Sequence, residues 1–511
     1  HNNGDFITKG PWVDARAYNS AAFNDTTISA AITAIGSAKK TLLLAPGTWT
    51  ISNSVTVPSN INLRFEQGAV LSVGATYTFT INGPIDAPLV QIFSGSGTVS
   101  LSHSYKGKVY PHWWGADPTG ATLSNSAFTA AFGATGPLIL YLAEGTFKLE
   151  NWTCPDGARI YGEDGTIQGD GDLIVNAGWI HFEKITFKNL TTAGKLITYQ
   201  TGSIGGGEII DCTFGKANYH IYKASGVLVG TRYVGCKFGT NSGNAAAIYS
   251  RYYGDLNEYS EIGCYTTSNE KGLYAGAGSS VLIMDSVLEY QNSHDITISV
   301  PTGKAMYAFK MQNVHLEALT TKTLAYVKLE AVSGSGIYTT FDNVYATPIA
   351  TEAILGSMPS GSFSAWVRIN KSVGLGITPN LPYYWKVSRD NDDTTQGIFT
   401  VTPTNLTVVG GTGVTFTNKY TEIGNVVTFS VVIHPNGGTT KSTNGSTYLT
   451  TSSGGLPAST TWSSSVNGSR NADHSYTTGN GATNGTLIYL PAWNASSSDI
   501  SISGSYIADW Q

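Results

Sequence analysis

Asp211-Cys212-Thr213-Phe214, Gly235-Cys236-Lys237-Phe238 and Gly263-Cys264-Tyr265-Thr266 write one pattern three times: a turn residue, then an inward-outward-inward triplet. Ile185-Thr186-Phe187 precedes them, and Ser286-Val287-Leu288, Val314-His315-Leu316 and the degenerate Val344-Tyr345-Ala346 follow. The intervals are 27, 24, 28, 22, 28 and 30 residues. Such spacing is too regular for unrelated strands and predicts a solenoid.

The flanks repeat as well. A second strand follows each triplet after a polar turn, at Ile221-Tyr222, Ile248-Tyr249, Leu273-Tyr274 and Ile296-Thr297. A third apolar run, such as Val227-Leu228-Val229, Val281-Leu282-Ile283 or Tyr307-Ala308-Phe309, leads into the next triplet. Three strands per turn with no helix between them describe a parallel β-helix. Alternation then stacks Cys212, Cys236 and Cys264 on one interior face at roughly the 4.8 Å strand spacing. Four cysteines allow two bridges, but stacked thiols have parallel Cβ vectors and a disulfide needs a torsion near a right angle. Free, buried cysteines are the expectation, with Cys154 outside the ladder.

The composition is that of an extracellular all-β protein: 12% charged residues, 59 Gly and 18 Pro in 511 residues. That length exceeds one ordinary core and predicts two or more modules. A net charge of −5 without a basic tract argues against a nucleic-acid partner. No apolar run reaches the ~20 residues that span a bilayer, so membrane insertion is not expected. The chain begins His1-Asn2-Asn3-Gly4 with no signal peptide. This reads as a processed or truncated start, with any upstream anchor missing.

One opening occurs twice before the ladder. Trp12 to Tyr18 lead through a helix expected at Thr27 to Ala38, N-capped by Asp25 or Thr26, to Ala45-Pro46-Gly47-Thr48-Trp49. Trp113-Trp114-Gly115-Ala116-Asp117 lead through a short helix near Ser126 to Phe132 to Ala143-Glu144-Gly145-Thr146-Phe147. Each helix is expected to cap a stack of coils and shield its open edge.

The paired cap helices with "APGTW" and "AEGTF", the "WWGAD" segment and the Cys-x-Phe coils together resemble the pectate-lyase-like right-handed β-helix superfamily, and within it bacteriophage tailspike depolymerases. The likeness covers roughly residues 11 to 385 as architecture. His112 stands where relatives carry a Glu before the tryptophans, and Asp117-Pro118-Thr119-Gly120 replaces a "DGxTDD" run. The resemblance implies an all-β, right-handed parallel β-helix with N-terminal cap helices and a C-terminal antiparallel β-sandwich. It also implies a homotrimer on the virion tail, attached through a missing N-terminal region, acting outside the cell on a bacterial surface polysaccharide.

The expected organisation is a cap and short helical module at 1–108, the main β-helix at 109–385, a linker at 386–396 and a sandwich at 397–511. Asp390 to Thr395 read as a solvated hinge rather than a Ca²⁺ loop, since EF-hand ligand spacing is lacking. Trp462, Trp493 and Trp510 serve either glycan contact or the sandwich core. No cofactor is expected.

Function falls to the outward residues. The position after each triplet holds Gly215, Gly239, Thr267, Glu289, Glu317 and Thr347. If it faces out, Glu289 and Glu317 project from adjacent coils, and two close carboxylates split their proton affinities as glycosidic cleavage requires. One group then donates to the leaving oxygen and the other acts as nucleophile or base. Asp255 and Glu258 are candidates for a more distant partner. The competing reading makes Glu289 and Glu317 solvated ladder residues paired with Lys271 or Lys328. Tyr222, Tyr249 and Tyr274 are expected as an outward row for sugar rings, extended by Arg251, Tyr252 and Tyr253, with His294 and His315 nearby; tyrosine also simply suits a half-buried β surface. A lyase acting beside a uronate carboxylate, using Arg251, Lys271, Tyr290 or His294, is one alternative. A trimeric glycan-binding adhesin without turnover is the other.

Overall fold

The computed structural model describes residues 10–19, 22–101, 107–134, 139–191, 194–223, 225–239, 253–267, 272–289, 294–317, 325–331, 335–347, 353–357, 364–372, 375, 385–389, 394–397, 401–404, 406–409, 413–423, 426–436, 439–442, 448–451, 466–470, 476–479, 487–489, 493–496 and 500–507. The chain divides into two compact units: residues 1–274 with 287–292, and residues 275–286 with 293–511.

The first unit opens with three-sided coils. Lys40–Leu44, Gly47–Ile51 and Val55–Val57 form one turn, and each strand pairs in parallel with its counterpart one turn on, at Ile61–Phe65, Ala69–Val73 and Thr78–Ile81. Period-two alternation puts Leu42, Leu44, Trp49, Ile51, Leu63, Phe65, Leu71 and Val73 inside. Helix α1 (Asp25–Ile35) buries Ile28, Ala31 and Ile35 and touches all three strands of the first complete turn. Its start differs from the expected Asp25 or Thr26 cap. Asn24 Oδ1 accepts from Thr27 N at 3.0 Å, and Asp25 instead binds Ser52 N and the Asn53 amide, tying the helix to the coil below. Its end comes at Gly36, φ 60°, earlier than Ala38.

Helix α2 (Asn125–Ala134) repeats the device. Its Phe128 and Phe132 rest on Trp152, with ring centroids 5.5 and 5.7 Å away, and the Trp152 Nε1–H donates to Thr129 Oγ1. The Asn125 side chain both donates to Glu150 O and accepts from Glu150 N. Asp117, in the segment that departs from the family pattern, is a loop clamp. It accepts from the backbone N–H and hydroxyl of both Thr119 and Thr122, which hold its carboxyl well below the usual carboxylate range.

Beyond α2 the triplets of each unit pair in parallel. In the first unit Lys237 N donates to Cys212 O, Tyr265 N to Cys236 O and Val287 N to Cys264 O, each at 2.9 Å. Phe187, Phe214 and Phe238 stack inside at 5.4 and 4.9 Å with interplanar angles of 16° and 7°. All four cysteines are buried and free, and burial pushes the Cys212 thiol up to about 12. In the second unit His315 N donates to Ser286 O and Tyr345 N to Val314 O.

The residue before each triplet occupies the left-handed region: Lys184, Asp211, Gly235 and Gly263 in the first unit, Asp285, Asn313 and Asn343 in the second, with φ between 51° and 63°. Gly, Asn and Asp visit that region most cheaply. In the second unit these corners bond one another, Asn343 Nδ2 to Asn313 Oδ1 at 2.8 Å and Asn313 Nδ2 to Asp285 Oδ1 at 2.9 Å.

The solenoid ends within the second unit, where Trp385–Arg389 pairs in parallel with Ser364–Asn370 and antiparallel with Thr394–Gly397. Strands therefore occupy most of 386–396. Antiparallel pairing continues through Thr415–Ile423, Val426–His434 and Ile500–Ile507, and two three-stranded sheets complete the C-terminal part.

Candidate functional site

Alternation is a property of a strand, so it locates an outward residue only as far as the strand runs. Thr213–Phe214 and Lys237–Phe238 stop at the inward phenylalanine, and Gly215 and Gly239 beyond them are buried. Thr267 lies in its strand yet is buried as well. The expected outward run after every triplet is therefore corrected to Glu289, Glu317 and Thr347, all of them half-buried. Glu289 closes Val287–Glu289 beside the buried Leu288, with Thr267 as its register partner, in the first unit. Glu317 closes His315–Glu317 beside the buried Leu316 in the second.

Other titratable groups lie near Glu317. His315 Nδ1 lies 4.0 Å from its carboxylate, and the His315 ring sits 5.0 Å from that of exposed Tyr345 on the next turn. Tyr326, fully buried, donates its hydroxyl to Thr347 O at 3.0 Å. Burial pushes this phenol up to about 12; the Thr347 bond acts against the rise, and the negative charges of buried Asp295 and of Glu317 add to it. His294 Nδ1–H donates to Ala325 O at 2.6 Å, which leaves the ring's basic lone pair on Nε2. Lys328 pairs with Glu330, so it is engaged away from Glu317. Sequence reasoning missed Asp295 and Tyr326, and it read Thr347 only as an outward position of the ladder. The dipeptide His294-Asp295 at the entry to Ile296–Val300 was the only signal available.

The remaining candidates are dispersed. Asp255 pairs in register with Val227 within Tyr253–Asn257. Glu258 is the exposed left-handed corner that follows, φ 53°; the buried acid here is Glu261, which accepts from the Tyr259 hydroxyl. Tyr222 packs against Tyr219 at 4.9 Å and carries Lys195 Nζ 4.6 Å over its ring. Lys195 in turn binds Asp172. Tyr274 follows buried Leu273 and is half-buried. Tyr249, Arg251, Tyr252, Lys271, Tyr290, Trp462 and Trp510 lie outside the described residues, as do the side chains of Tyr253 and Trp493. Among the described residues no group of three or more His, Cys, Asp or Glu is placed to hold a metal ion, and no helix is long and apolar enough to cross a membrane.

No family model matches the sequence, and no curated protein does. Solved structures of similar outline include ORF18 of Geobacillus virus E2, at 12% identity over 76% of this chain and 86% of that one, TM-score 0.38. The tailspike of Escherichia coli bacteriophage HK620, solved with a hexasaccharide, matches at 11% identity over 97% and 90%, TM-score 0.33. The catalytic unit of a Streptomyces thermodiastaticus α-1,3-glucanase matches at 13% identity over 55% and 68%, TM-score 0.34. These likenesses are faint, and the parallel β-helix stands on the strand registers given above.

Proposed function

We propose that the chain is a phage tailspike depolymerase that cleaves glycosidic bonds of a bacterial surface polysaccharide, with Glu317 as its principal acid–base residue. The observation that carries this is the half-exposed Glu317 carboxylate, flanked by His315, whose ring lies beside that of exposed Tyr345. Hydrolysis needs one carboxyl to protonate the leaving oxygen and a second to attack or to activate water. Asp295, in the same unit as Glu317, is the candidate second group; Glu289, which the repeat pattern singles out, belongs to the first unit and is tested by its variant alone.

The test is a reducing-end assay on purified capsular and exopolysaccharides. Glu317→Gln should lower turnover at least about 100-fold while leaving the fold intact. Comparing Glu289→Gln with Asp295→Asn identifies the second group by the larger loss. Unchanged turnover in Glu317→Gln removes the proposal. The elimination reading draws on His294, held by its Nδ1 bond to Ala325 O; ultraviolet absorbance from an unsaturated product would establish it and exclude hydrolysis.

A further inference from the structure

Three large aromatic side chains of the second unit stand on neighbouring parallel strands with their rings in solvent. Tyr307 is 67% exposed, Tyr338 38% and Trp366 49%. Tyr338 pairs in register with Trp366. Tyr307 falls between the pairs Met306–Ile337 and Phe309–Thr339, where a β-bulge interrupts the register. The extra residue turns Tyr307 and Ala308 outward together, which is how a bulge re-aims a side chain. Met306, Phe309, Ile337 and Val367 remain inside, so the core is already filled and the exposed rings are surplus to it.

Further along the same strands the outward row reads Lys310, Thr340, Arg368 in direct register. Lys310 Nζ is 3.8 Å from Asp342, too far for a strong pair, and the Arg368 Nε–H donates to the neutral amide of Asn370 at 3.2 Å. An aromatic strip one strand spacing per ring thus runs beside two cations on alternate strands. Aromatic faces take the apolar faces of sugar rings, and a guanidinium takes a carboxylate in bidentate fashion. On a chain of net charge −5, these cations are a local attraction for a polyanion.

We infer that this face is a binding platform for an acidic, carboxylate-bearing polysaccharide, with Tyr307, Tyr338 and Trp366 under its rings and Lys310 and Arg368 at its carboxylates. The inference rests on the polysaccharide reading for the class of polymer, but it is a statement about binding and is tested without turnover. The probe is an array of purified bacterial capsular polysaccharides, uronate-containing and neutral, incubated with the full chain. Retention should be confined to uronate-containing members and fall as salt rises. Trp366→Ala and Tyr338→Ala should each weaken it about tenfold, and Trp366→Tyr should recover most of the loss. Lys310→Ala with Arg368→Ala should abolish the salt dependence while the melting temperature stays put. Because retention is read without turnover, a chain that retains uronate polymers but cleaves none of them supports this platform and counts only against the catalytic reading. Retention on neutral members alone, absence of retention, or unchanged retention in the double variant Tyr338→Ala, Trp366→Ala would overturn it. A fall in molar mass for that double variant, read by light scattering, would also overturn it by showing that the face holds a second copy of the chain.

Discussion

The triplet strands of the two units share a geometry and spend it on opposite faces. In the first unit the inward positions hold Cys212, Cys236, Cys264 and the stacked rings of Phe187, Phe214 and Phe238, while Thr213 and Lys237 face out and Glu289 is its one half-buried acid after a triplet. In the second the inward positions are plain aliphatics, Val314, Leu316, Val344 and Ala346, and the outward ones are His315, Glu317 and Tyr345. Packing constrains the inner face tightly, because each side chain must fit the turns above and below it. The outer face has no such obligation and is where chemistry can be placed at small cost to the fold.

The comparison is broken most forcefully at Phe214. Phe214→Ala removes the middle ring of the stack and should cost about 3–5 kcal/mol in a urea or thermal denaturation; a loss below about 1 kcal/mol would mean that the stack does not hold the first unit together. Next come the corners. Gly235 has φ 63°, and a Cβ there would stand 2.2 Å from Asp211 Oδ1, so Gly235→Ala should cost about 1–2 kcal/mol or more. At Asn343 the order of variants is the test: Asn343→Gly keeps the left-handed backbone and loses only the amide bond, so it should melt higher than Asn343→Ala.

The smallest effect is a pH dependence. Cys212 is raised by burial from 9.0 to about 12, and buried Tyr326 from 10.0 to about 12. Above about pH 9 the unfolded chain has released protons that the folded chain still holds. Their contribution is therefore complete below pH 9 and is lost as pH rises through 12. Denaturation midpoints measured from pH 8 to 11 should fall, and Cys212→Ala should shallow that slope while lowering the midpoint at pH 8.

Much of this was legible from residue order alone. The coil period, the buried free cysteines and both cap helices follow from spacing and alternation, because a solenoid repeats its constraints on every turn. The ends of elements were less legible. Asn24 and Asp25 are both good caps, and only the bonds from Ser52 and Asn53 to Asp25 decide between them. The outward position after each triplet failed at Gly215 and Gly239 for a definite reason: those strands end one residue sooner than Val287–Glu289 and His315–Glu317. The surroundings of Glu317 were only partly visible, since Tyr326 and Thr347 come from different turns and nothing local in sequence announces their hydrogen bond.

The left-handed corners have a consequence for how such a chain tolerates change. Because each corner restarts the inward-outward alternation, a segment inserted between one triplet and the next corner leaves the facing of every later residue unaltered. Turns of 22 and of 30 residues are therefore mutually compatible in one chain. Length becomes a free variable of the surface, and recognition can be rewritten there one loop at a time while the interior keeps its phase.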